Sequence, residues 1–391
     1  MKILLLEDDD LKRQDIVEAV LATVDDAEVV EVTNWYDYCK QVAAISFDLI
    51  LLDLLVPRSP RDPRVENHST LLADTTRGPD SKSYKTPAIV LTKFLENSEE
   101  FFSELNKVDI NVISFDERGH WKEALARKLL AARPKTRFNF LIVCALPKEA
   151  DAYEHIVDHW GDLRTVDGIM CREVVVDGTK GAIVQLPRMG LVSTAAISAF
   201  AIDRFEPRLI CMSGICGGVP QESAIYDVLI TDTCHQHDVG KWSNHGFKSE
   251  HYDVQINANV RNRLEELIND REVKTFVGTD VTLGRSEFPD GVEEFMLNMR
   301  IVATSSGSAV MAEAGQTASL SGGQRKLAGF DMEVYAVYEA ARLSAQRPLF
   351  FAAKSVVDDG DKNKGDRFHR VGCLLSARFV ISVLRSKITD L

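Results

Sequence analysis

The chain has 391 residues and a formal net charge of −13 at pH 7. That length exceeds what one hydrophobic core usually organises and favours two domains. The negative charge argues against a direct nucleic acid partner, because a phosphate backbone would be repelled. The longest apolar runs stop well short of the roughly 18 residues that a membrane helix needs, so no membrane partner is expected.

The amino-terminal residues MKILLLEDDD do not fit a secretory signal, because one basic residue is followed by a run of strand length and then by acids. Seven cysteines are scattered singly without a CxxC pair, which predicts neither a disulfide framework nor a zinc site. A cytoplasmic location is therefore expected.

The first predicted domain, residues 1–133, alternates short apolar strands with helical segments, which is typical of a doubly wound parallel sheet. Polar side chains follow three of its strands: Glu7 and Asp8 after the first, Asp53 after the second apolar run, and Thr92 after the third. The carboxyl ends of parallel strands meet at one edge of a sheet. Carboxylates gathered there suit a hard divalent cation such as Mg²⁺, which prefers oxygen ligands.

This pattern resembles the receiver domain of two-component response regulators, which has a flavodoxin-like fold. The resemblance implies that Glu7, Asp8 and Asp53 hold Mg²⁺. It also implies that Asp53 accepts a phosphoryl group from a cognate sensor histidine kinase and that Thr92 senses it. A receiver fold used only for docking or dimerisation is the alternative, because function depends on the site and not on the fold.

Two features depart from the receiver pattern. Receivers carry a lysine after the fifth strand, whereas Ser114 and Phe115 stand at the matching place here. Either a phosphoaspartate lacks that charge-assisted partner, or Lys93 supplies it from the neighbouring strand. The polar segment at residues 57–86 is longer than the usual connection in an α/β unit and is expected to form a surface loop or a partner site.

A short basic connection at residues 131–137, AARPKTR, leads into the second domain, which we place at residues 134–391. Three of its acids stand beside predicted strands and helices. Glu149 begins a helix after an apolar strand, Glu333 begins another helix, and Asp358 ends the apolar run at residues 349–357. Each acid alone would be expected as a helix cap or a solvated loop residue. Together they predict a ligand site at the strand ends.

The order of these motifs resembles the superfamily of purine nucleoside phosphorylases and methylthioadenosine nucleosidases, an α/β fold with a mixed central sheet. The resemblance implies that Glu149 activates the attacking water, that Glu333 binds the ribose hydroxyls and that Asp358 faces N7 of the base. Phosphorylases of this fold carry a Gly-Asp-Pro turn and a basic residue for phosphate where Glu149 stands. A carboxylate there would repel inorganic phosphate and can accept a proton, which favours hydrolysis over phosphorolysis.

The same resemblance implies further contacts with the substrate. A glycine-rich loop after the strand at residues 209–212 is expected to pack against the ribose and the base. Three basic side chains are candidates for holding a phosphate group, namely Arg188, Lys241 and Arg285. The other implied substrate-binding residues are Ile215, Gly217, Val310, Met311, Met332 and Lys354.

Four histidines lie between residues 235 and 251, at His235, His237, His245 and His251. Their spacing fits no compact zinc motif, so a binding loop is favoured over a metal site. The resemblance implies no cofactor for this domain.

Breaking a purine N-glycosidic bond builds positive charge on the ribose and negative charge on the base. Glu149 as a general base would activate water for attack on the positively charged ribose. Asp358 as a general acid would neutralise the departing purine, as in inverting glycosidases. The pairing of the two domains resembles the effector of the bacterial two-component antiphage systems called Detocs, in which related domains cleave ATP to adenine and ribose triphosphate. An ATP-directed nucleosidase under receiver control is therefore predicted, as a homodimer or higher homo-oligomer.

Two alternatives stay open. A methylthioadenosine or adenosylhomocysteine nucleosidase would need an apolar pocket for the 5′ group, whereas a triphosphate needs converging basic residues. A catalytically silent, nucleoside-sensing regulator would need neither base nor acid, and the presence of Glu149, Glu333 and Asp358 argues against it.

Overall fold

The computed structural model describes residues 1–93, 105–116, 118–134, 136–244, 246–250, 252–279, 281–292, 294–308, 327–359 and 366–391. Within it the chain divides into two compact units, Met1–Lys135 and Thr136–Leu391. None of the described helices combines the length and apolar character that crossing a membrane requires.

The first unit contains a five-stranded sheet whose paired strands are all parallel, in the order β2-β1-β3-β6-β7. The strands are β1 (Lys2–Leu6), β2 (Glu28–Val32), β3 (Leu49–Leu52), β4 (Leu55–Ser59), β5 (Asp62–Asn67), β6 (Ala88–Thr92) and β7 (Ile110–Ser114). The helices are α1 (Asp10–Thr23), α2 (Trp35–Ala44), α3 (Ser69–Arg77) and α4 (His120–Ala132).

Side chains of successive strand residues enter two separate cores, one on each face of this sheet. Leu4 and Leu6 pack with the core that includes Tyr38 of α2, whereas Ile3 and Leu5 pack with the core on the other face. This alternation follows from the two-residue period of a strand. Helices therefore cover both faces, as the apolar pattern predicts for a doubly wound sheet.

The expectation of a surface loop at residues 57–86 is wrong. That segment contains most of the antiparallel hairpin of β4 and β5, and then α3. Helix α3 buries Leu72 and Thr76, and the hydroxyl of Thr76 lies 2.5 Å from that of Tyr38. The polar composition of the segment concealed this packing because only one side of a short helix needs to be apolar.

The second unit is built on a mixed sheet in the order β16-β13-β17-β18-β12-β8-β11-β10-β9, with β19 paired to both β12 and β13. The strands are β8 (Phe140–Cys144), β9 (His159–Val166), β10 (Ile169–Val176), β11 (Thr179–Gln185), β12 (Leu209–Gly218), β13 (Val228–Gln236), β14 (Gly240–Ser243), β15 (Gly246–Ser249), β16 (Asp253–Gln255), β17 (Met299–Ser306), β18 (Leu327–Asp331) and β19 (Leu349–Asp358). The helices are α5 (Pro147–Asp151), α6 (Leu191–Phe205), α7 (Ala258–Asn269), α8 (Arg271–Gly278), α9 (Val334–Leu343) and α10 (His369–Arg385), with short 3₁₀ turns at Arg285–Glu287, Asp366–Phe368 and Ile388–Asp390.

Strand β12 is the centre of this arrangement, and it corrects the predicted loop after residue 212. The strand continues through the glycine-rich segment to Gly218 and pairs in parallel with β19, which places Gly217 opposite Asp358. It also pairs in parallel with β8, whose end leads into α5. Further along β12, beyond the residues that pair with β8, Gly217 pairs antiparallel with Phe330 of β18, directly before the acidic segment at residues 331–333.

Candidate active site

A cavity of about 410 Å³ opens where these strands end, and it gathers many of the predicted site residues. The predicted residues in its wall are Glu149, Ile215, Gly217, Met332, Glu333 and Asp358. They come from three distant parts of the sequence. The parallel alignment of β8, β12 and β19 brings the carboxyl ends of these strands to the same edge, where α/β proteins usually bind ligands.

Glu149 is almost fully buried, and backbone amides hold its carboxylate. One oxygen, Oε2, accepts hydrogen bonds from the amides of Ala145 at 2.7 Å and Leu146 at 2.9 Å, and the other, Oε1, accepts from the amide of Ile215 at 3.0 Å. Burial raises the pKa of Glu149, although Lys354 and the backbone hydrogen bonds act in the opposite direction. A carboxylate with a raised pKa binds a proton more readily than an ordinary glutamate, which suits a general base.

Gly214 makes room for this carboxylate. A Cβ atom at residue 214 would lie 2.0 Å from Oε1 of Glu149, well inside any permitted contact. The backbone at Gly214 also has a φ of +149°, which side chains rarely adopt. The glycine-rich segment was expected to approach the ligand. Gly217 does line the cavity, whereas Gly214 approaches the carboxylate of Glu149.

Glu333 sits directly before α9, and its carboxylate is held from two sides. Oε1 accepts a hydrogen bond from the amide of Gly190 at 3.2 Å, and Oε2 lies 2.9 Å from Nζ of Lys354. Lys354 also lies 3.1 Å from Oδ2 of Asp331. Burial lowers the pKa of Lys354, but the carboxylates of Asp331, Glu333 and Glu149 more than offset this and raise it well above its usual range. Lys354 is therefore a buried cation behind the cavity wall, and it orients the carboxylates of Asp331 and Glu333.

Asp331 is a wall residue whose role the sequence did not reveal. Its carboxylate accepts hydrogen bonds from the amides of Glu333 and Val334 at the start of α9 and from the hydroxyl of Ser306. An aspartate two residues before a glutamate that opens a helix is a capping signal, and this signal could have indicated the role. Asp331 fixes the start of α9 and thereby the position of Glu333.

Asp358 is the last residue of β19 and lines the cavity. Apolar side chains make up much of the surrounding wall, among them Met189, Phe330 and Val357. The wall therefore combines a largely apolar surface with a few polar groups that converge on it, which is the usual composition of a small-molecule site.

Other predicted residues are not in this wall. Arg188, Lys241 and Arg285 are exposed and do not line the cavity. Val310 and Met311 lie outside the described residues, so their assignment to the base stays a prediction.

Sequence reasoning missed three polar residues that do line the cavity. Lys148 precedes Glu149 in α5, and its Nζ lies 2.5 Å from Nδ1 of His369, the first residue of α10. Asp366 lies close to both, at 3.2 Å from Nζ of Lys148 and 3.0 Å from Nδ1 of His369. Glu149 at this helix start was predicted from the sequence as a site residue, but the lysine beside it was not.

The acidic residues of the first unit also come together. Glu7, Asp8 and Asp53 each offer a carboxylate oxygen within 4.8 Å of the others, and within the described ranges they form the only such group of three potential metal ligands. His235 and His237 belong to no such group, while His245 and His251 lie outside those ranges.

A buried lysine of α1 already contacts this acidic group. Nζ of Lys12 lies 2.7 Å from Oδ2 of Asp53 and 2.7 Å from Oε2 of Glu7, and it donates a hydrogen bond to the backbone oxygen of Leu91 at 2.7 Å. Lys93 instead pairs with Asp9 at 3.0 Å, so the cation that reaches Asp53 comes from α1, at a lysine that the sequence did not indicate. Burial, together with Asp53, raises the pKa of Glu7 to about 7 in spite of Lys12.

The three carboxylates fit Mg²⁺ in donor type and spacing. Lys12, however, already contacts two of the three. A divalent cation at this place would have to share these oxygens with the ammonium group or displace it.

Residues 139–379 match the family model described as the phosphorylase superfamily. Along nearly its whole length the chain is similar to the uncharacterized protein y4jS of Sinorhizobium fredii, with 28% identity over 422 residues that cover 97% of this chain and 98% of the relative. A shorter stretch of 99 residues is 31% identical to the 5′-methylthioadenosine/S-adenosylhomocysteine nucleosidase of Mycobacterium tuberculosis and covers 25% of this chain and 38% of that enzyme.

Solved structures share the fold of the second unit. The methylthioadenosine/S-adenosylhomocysteine nucleosidase of Colwellia psychrerythraea in complex with adenine superposes with a TM-score of 0.52 at 16% identity, covering 64% of this chain and 96% of that one. The futalosine hydrolase of Helicobacter pylori gives a TM-score of 0.51 at 15% identity, with coverage of 64% and 98%. At these identities the likeness concerns the fold alone.

Proposed function

Because the chain belongs to the phosphorylase superfamily, we propose that its second unit is a nucleosidase, which hydrolyses the bond between a purine base and its ribose. The observation that carries this proposal is the convergence of Glu149, Glu333 and Asp358 on one cavity. Three backbone amides donate hydrogen bonds to the carboxylate of Glu149. Lys354 and the amide of Gly190 hold the carboxylate of Glu333.

In the proposed reaction, Glu149 removes a proton from a water molecule as that water attacks the anomeric carbon. A C–O bond forms while the C–N bond to the base breaks, and the bonding electrons leave with the base. Asp358 donates or shares a proton at N7 and so neutralises the departing base. Glu333 accepts hydrogen bonds from the ribose hydroxyls, and Lys354 holds it in place. No metal takes part in these steps.

The preference for water over inorganic phosphate follows from the charge at the attacking side. The Glu149 carboxylate would repel a phosphate dianion at the position from which the nucleophile must come, whereas it can accept a hydrogen bond from water. The expected products are therefore free base and a sugar with a hydroxyl at C1.

We further propose ATP as the substrate and the first unit as a receiver-type regulatory domain with Asp53 as the phosphate acceptor. The pairing of the two units supports this reading, as do the clustered acids of the first unit. A sensor histidine kinase would then be the partner, antiphage defence the role, and a homo-oligomer the working form.

A methylthioadenosine-type nucleosidase is the second candidate, because a specific observation favours it. Met189, Ile215, Phe330, Met332 and Val357 give the cavity a largely apolar wall, which suits an uncharged 5′ substituent.

Adenine release from ATP, AMP and methylthioadenosine, measured side by side with and without a small-molecule phosphodonor, tests these proposals. ATP cleavage that responds to the phosphodonor would support the full proposal, and cleavage of methylthioadenosine alone would support the second candidate. The Asp358→Asn variant should lose turnover with each substrate while still binding it. Full activity in that variant would exclude the assigned acid.

A further inference from the structure

The polar part of the cavity wall is acidic except at one place. The carboxylates of Glu149, Asp331, Glu333 and Asp358 would all repel a negatively charged part of a substrate. Among the described residues that line the cavity, the basic side chains are Lys148 and His369. An anionic group of any substrate is therefore disfavoured along most of the wall and accommodated beside this pair.

Lys148 and His369 form a compact pair with a carboxylate across both. Nζ of Lys148 and Nδ1 of His369 are 2.5 Å apart, and Oδ1 of Asp366 lies 3.2 Å from the first and 3.0 Å from the second. The side chain of His369 is only 19% exposed, whereas that of Asp366 is 83% exposed. The side chain of Lys148 is 39% exposed. The basic pair is thus less exposed than its carboxylate partner, which stands in solvent and can rotate away at little cost.

The position of Asp366 indicates what kind of group the pair can bind. A single carboxylate oxygen contacts both nitrogens, and a phosphoryl oxygen has the same charge and hydrogen-bonding capacity. His369 also begins α10, a helix of 17 residues that has no side-chain cap at its first turn. The positive end of the helix dipole adds to the attraction for an anion there.

We propose that Lys148 and His369 bind a phosphoryl group of the substrate, which takes the place of the Asp366 carboxylate. This inference rests on the proposed function and names the substrate class, which is phosphorylated purine nucleosides. Uncharged nucleosides would bind to the same wall without this contact. Burial and the neighbouring Lys148 lower the pKa of His369, so binding of a phosphoryl group would be accompanied by proton uptake at this imidazole.

Calorimetric binding of AMP and of adenosine to the full chain tests the proposal, in an Asp358→Asn background that prevents turnover of both ligands alike. Lys148→Met should weaken AMP binding roughly 10- to 100-fold, the usual effect of losing a charge-assisted contact, and change adenosine binding by less than about twofold. His369→Asn should act in the same direction, which guards against a folding defect in one variant. Asp366→Asn should strengthen AMP binding severalfold. Lys241→Met, at an exposed lysine outside the wall, is the matched control.

Three outcomes would overturn the proposal. These are unchanged AMP binding in Lys148→Met, an equal loss for AMP and adenosine, and binding of inorganic phosphate that depends on Lys148 while AMP binding does not. The last would assign the pair to a free phosphate. Failure of the proposed function is separate, because it would appear as absence of base release by the unmodified chain while AMP binding still depended on Lys148.

Discussion

Three backbone amides determine the environment of the buried Glu149 carboxylate. This carboxylate is removed from water but satisfied by three amides, so it can stay charged in the interior without being tied to a cation by a hydrogen bond. A carboxylate paired closely with a lysine would be a weaker base. In this site Lys354 bonds to Glu333 instead, as the proposed role of Glu149 as the base requires.

Glu149→Gln should reduce kcat by about 10²- to 10⁴-fold, the usual range for losing a general base, with little change in KM. The pH profile of the unmodified chain should show the reason. Because the pKa of Glu149 is raised, activity should fall on acidification at a higher pH than an ordinary glutamate would give. Initial rates of base release across pH check this, and an acid limb at the position of an unperturbed glutamate would contradict it.

Gly214→Ala should reduce activity on the order of 100-fold, because the new methyl group would displace the Glu149 carboxylate from its amides. Gly178→Ala is the matched control. Gly178 also has a positive φ, of +71°, but nothing lies within 4 Å of a Cβ there. The control should lose about 1 kcal/mol of stability and keep its kcat. Equal kinetic losses in both variants would show that backbone strain alone is responsible.

At the scale of elements, the glycine-rich end of β12 is where sequence and structure differ most. The resemblance to the nucleosidase superfamily implied a loop for the motif Ser-Gly-Ile-Cys-Gly-Gly, whereas the structure has a strand there. In the fold these glycines allow close contact: a Cβ at Gly217 would lie 2.3 Å from the Phe330 ring, and Gly214 adjoins Glu149. The order of strands and acids could be predicted from apolar runs, but the neighbour that requires each glycine could not.

Helix α1 is joined to the sheet of the first unit by Lys12, which reaches β3 through Asp53 and β6 through Leu91. This lysine could not be selected from the sequence, because a helix carrying alternate polar residues is expected to expose them. Its burial follows from the acids that surround it. Without Lys12, the carboxylates of Glu7 and Asp53 would lie together with no cation between them.

Lys12→Met should destabilise the first unit by about 3 to 5 kcal/mol, the usual cost of leaving buried charges unpaired. Mg²⁺ should restore part of that loss, because the carboxylates would then be free to bind it. Hydrogen exchange in β1 and β3, with and without Mg²⁺, measures both effects. Lys93→Met removes an exposed pair with Asp9 and should cost less than about 1 kcal/mol. A Lys12→Met protein insensitive to Mg²⁺ would argue against a latent metal site.

At the scale of the whole molecule, each of the two units gathers its own group of carboxylates. The alternation of strands and helices predicted a doubly wound sheet in the first unit, and the resemblance to the nucleosidase superfamily implied the mixed sheet of the second. Lys148 and His369 could not be paired in advance, because they are more than 200 residues apart and meet only when α10 packs beside α5. The sequence also placed Lys354 in contact with substrate, whereas the fold puts it behind the acids that it orients.

If the first unit regulates the second, Asp53→Asn should abolish any effect of a phosphodonor on base release and leave the basal rate within about twofold, because the amide cannot form an acyl phosphate. Rates with and without the phosphodonor check this in the full chain. Asp62→Asn, at a half-buried acid of the β4–β5 hairpin that pairs with Arg64, is the control and should respond like the unmodified chain. A response that survives in Asp53→Asn would point to another acceptor.

Following the oxygen of the attacking water tests whether the reaction is a hydrolysis with Glu149 as its base. The full chain is incubated with a purine nucleotide in phosphate buffer made with heavy-oxygen water, and the sugar product is analysed by mass spectrometry. Hydrolysis with Glu149 as the base should give free purine and a sugar that carries the heavy oxygen at C1, and Glu149→Gln should form neither product. A sugar 1-phosphate without the heavy oxygen, or equal product formation in Glu149→Gln, would contradict it.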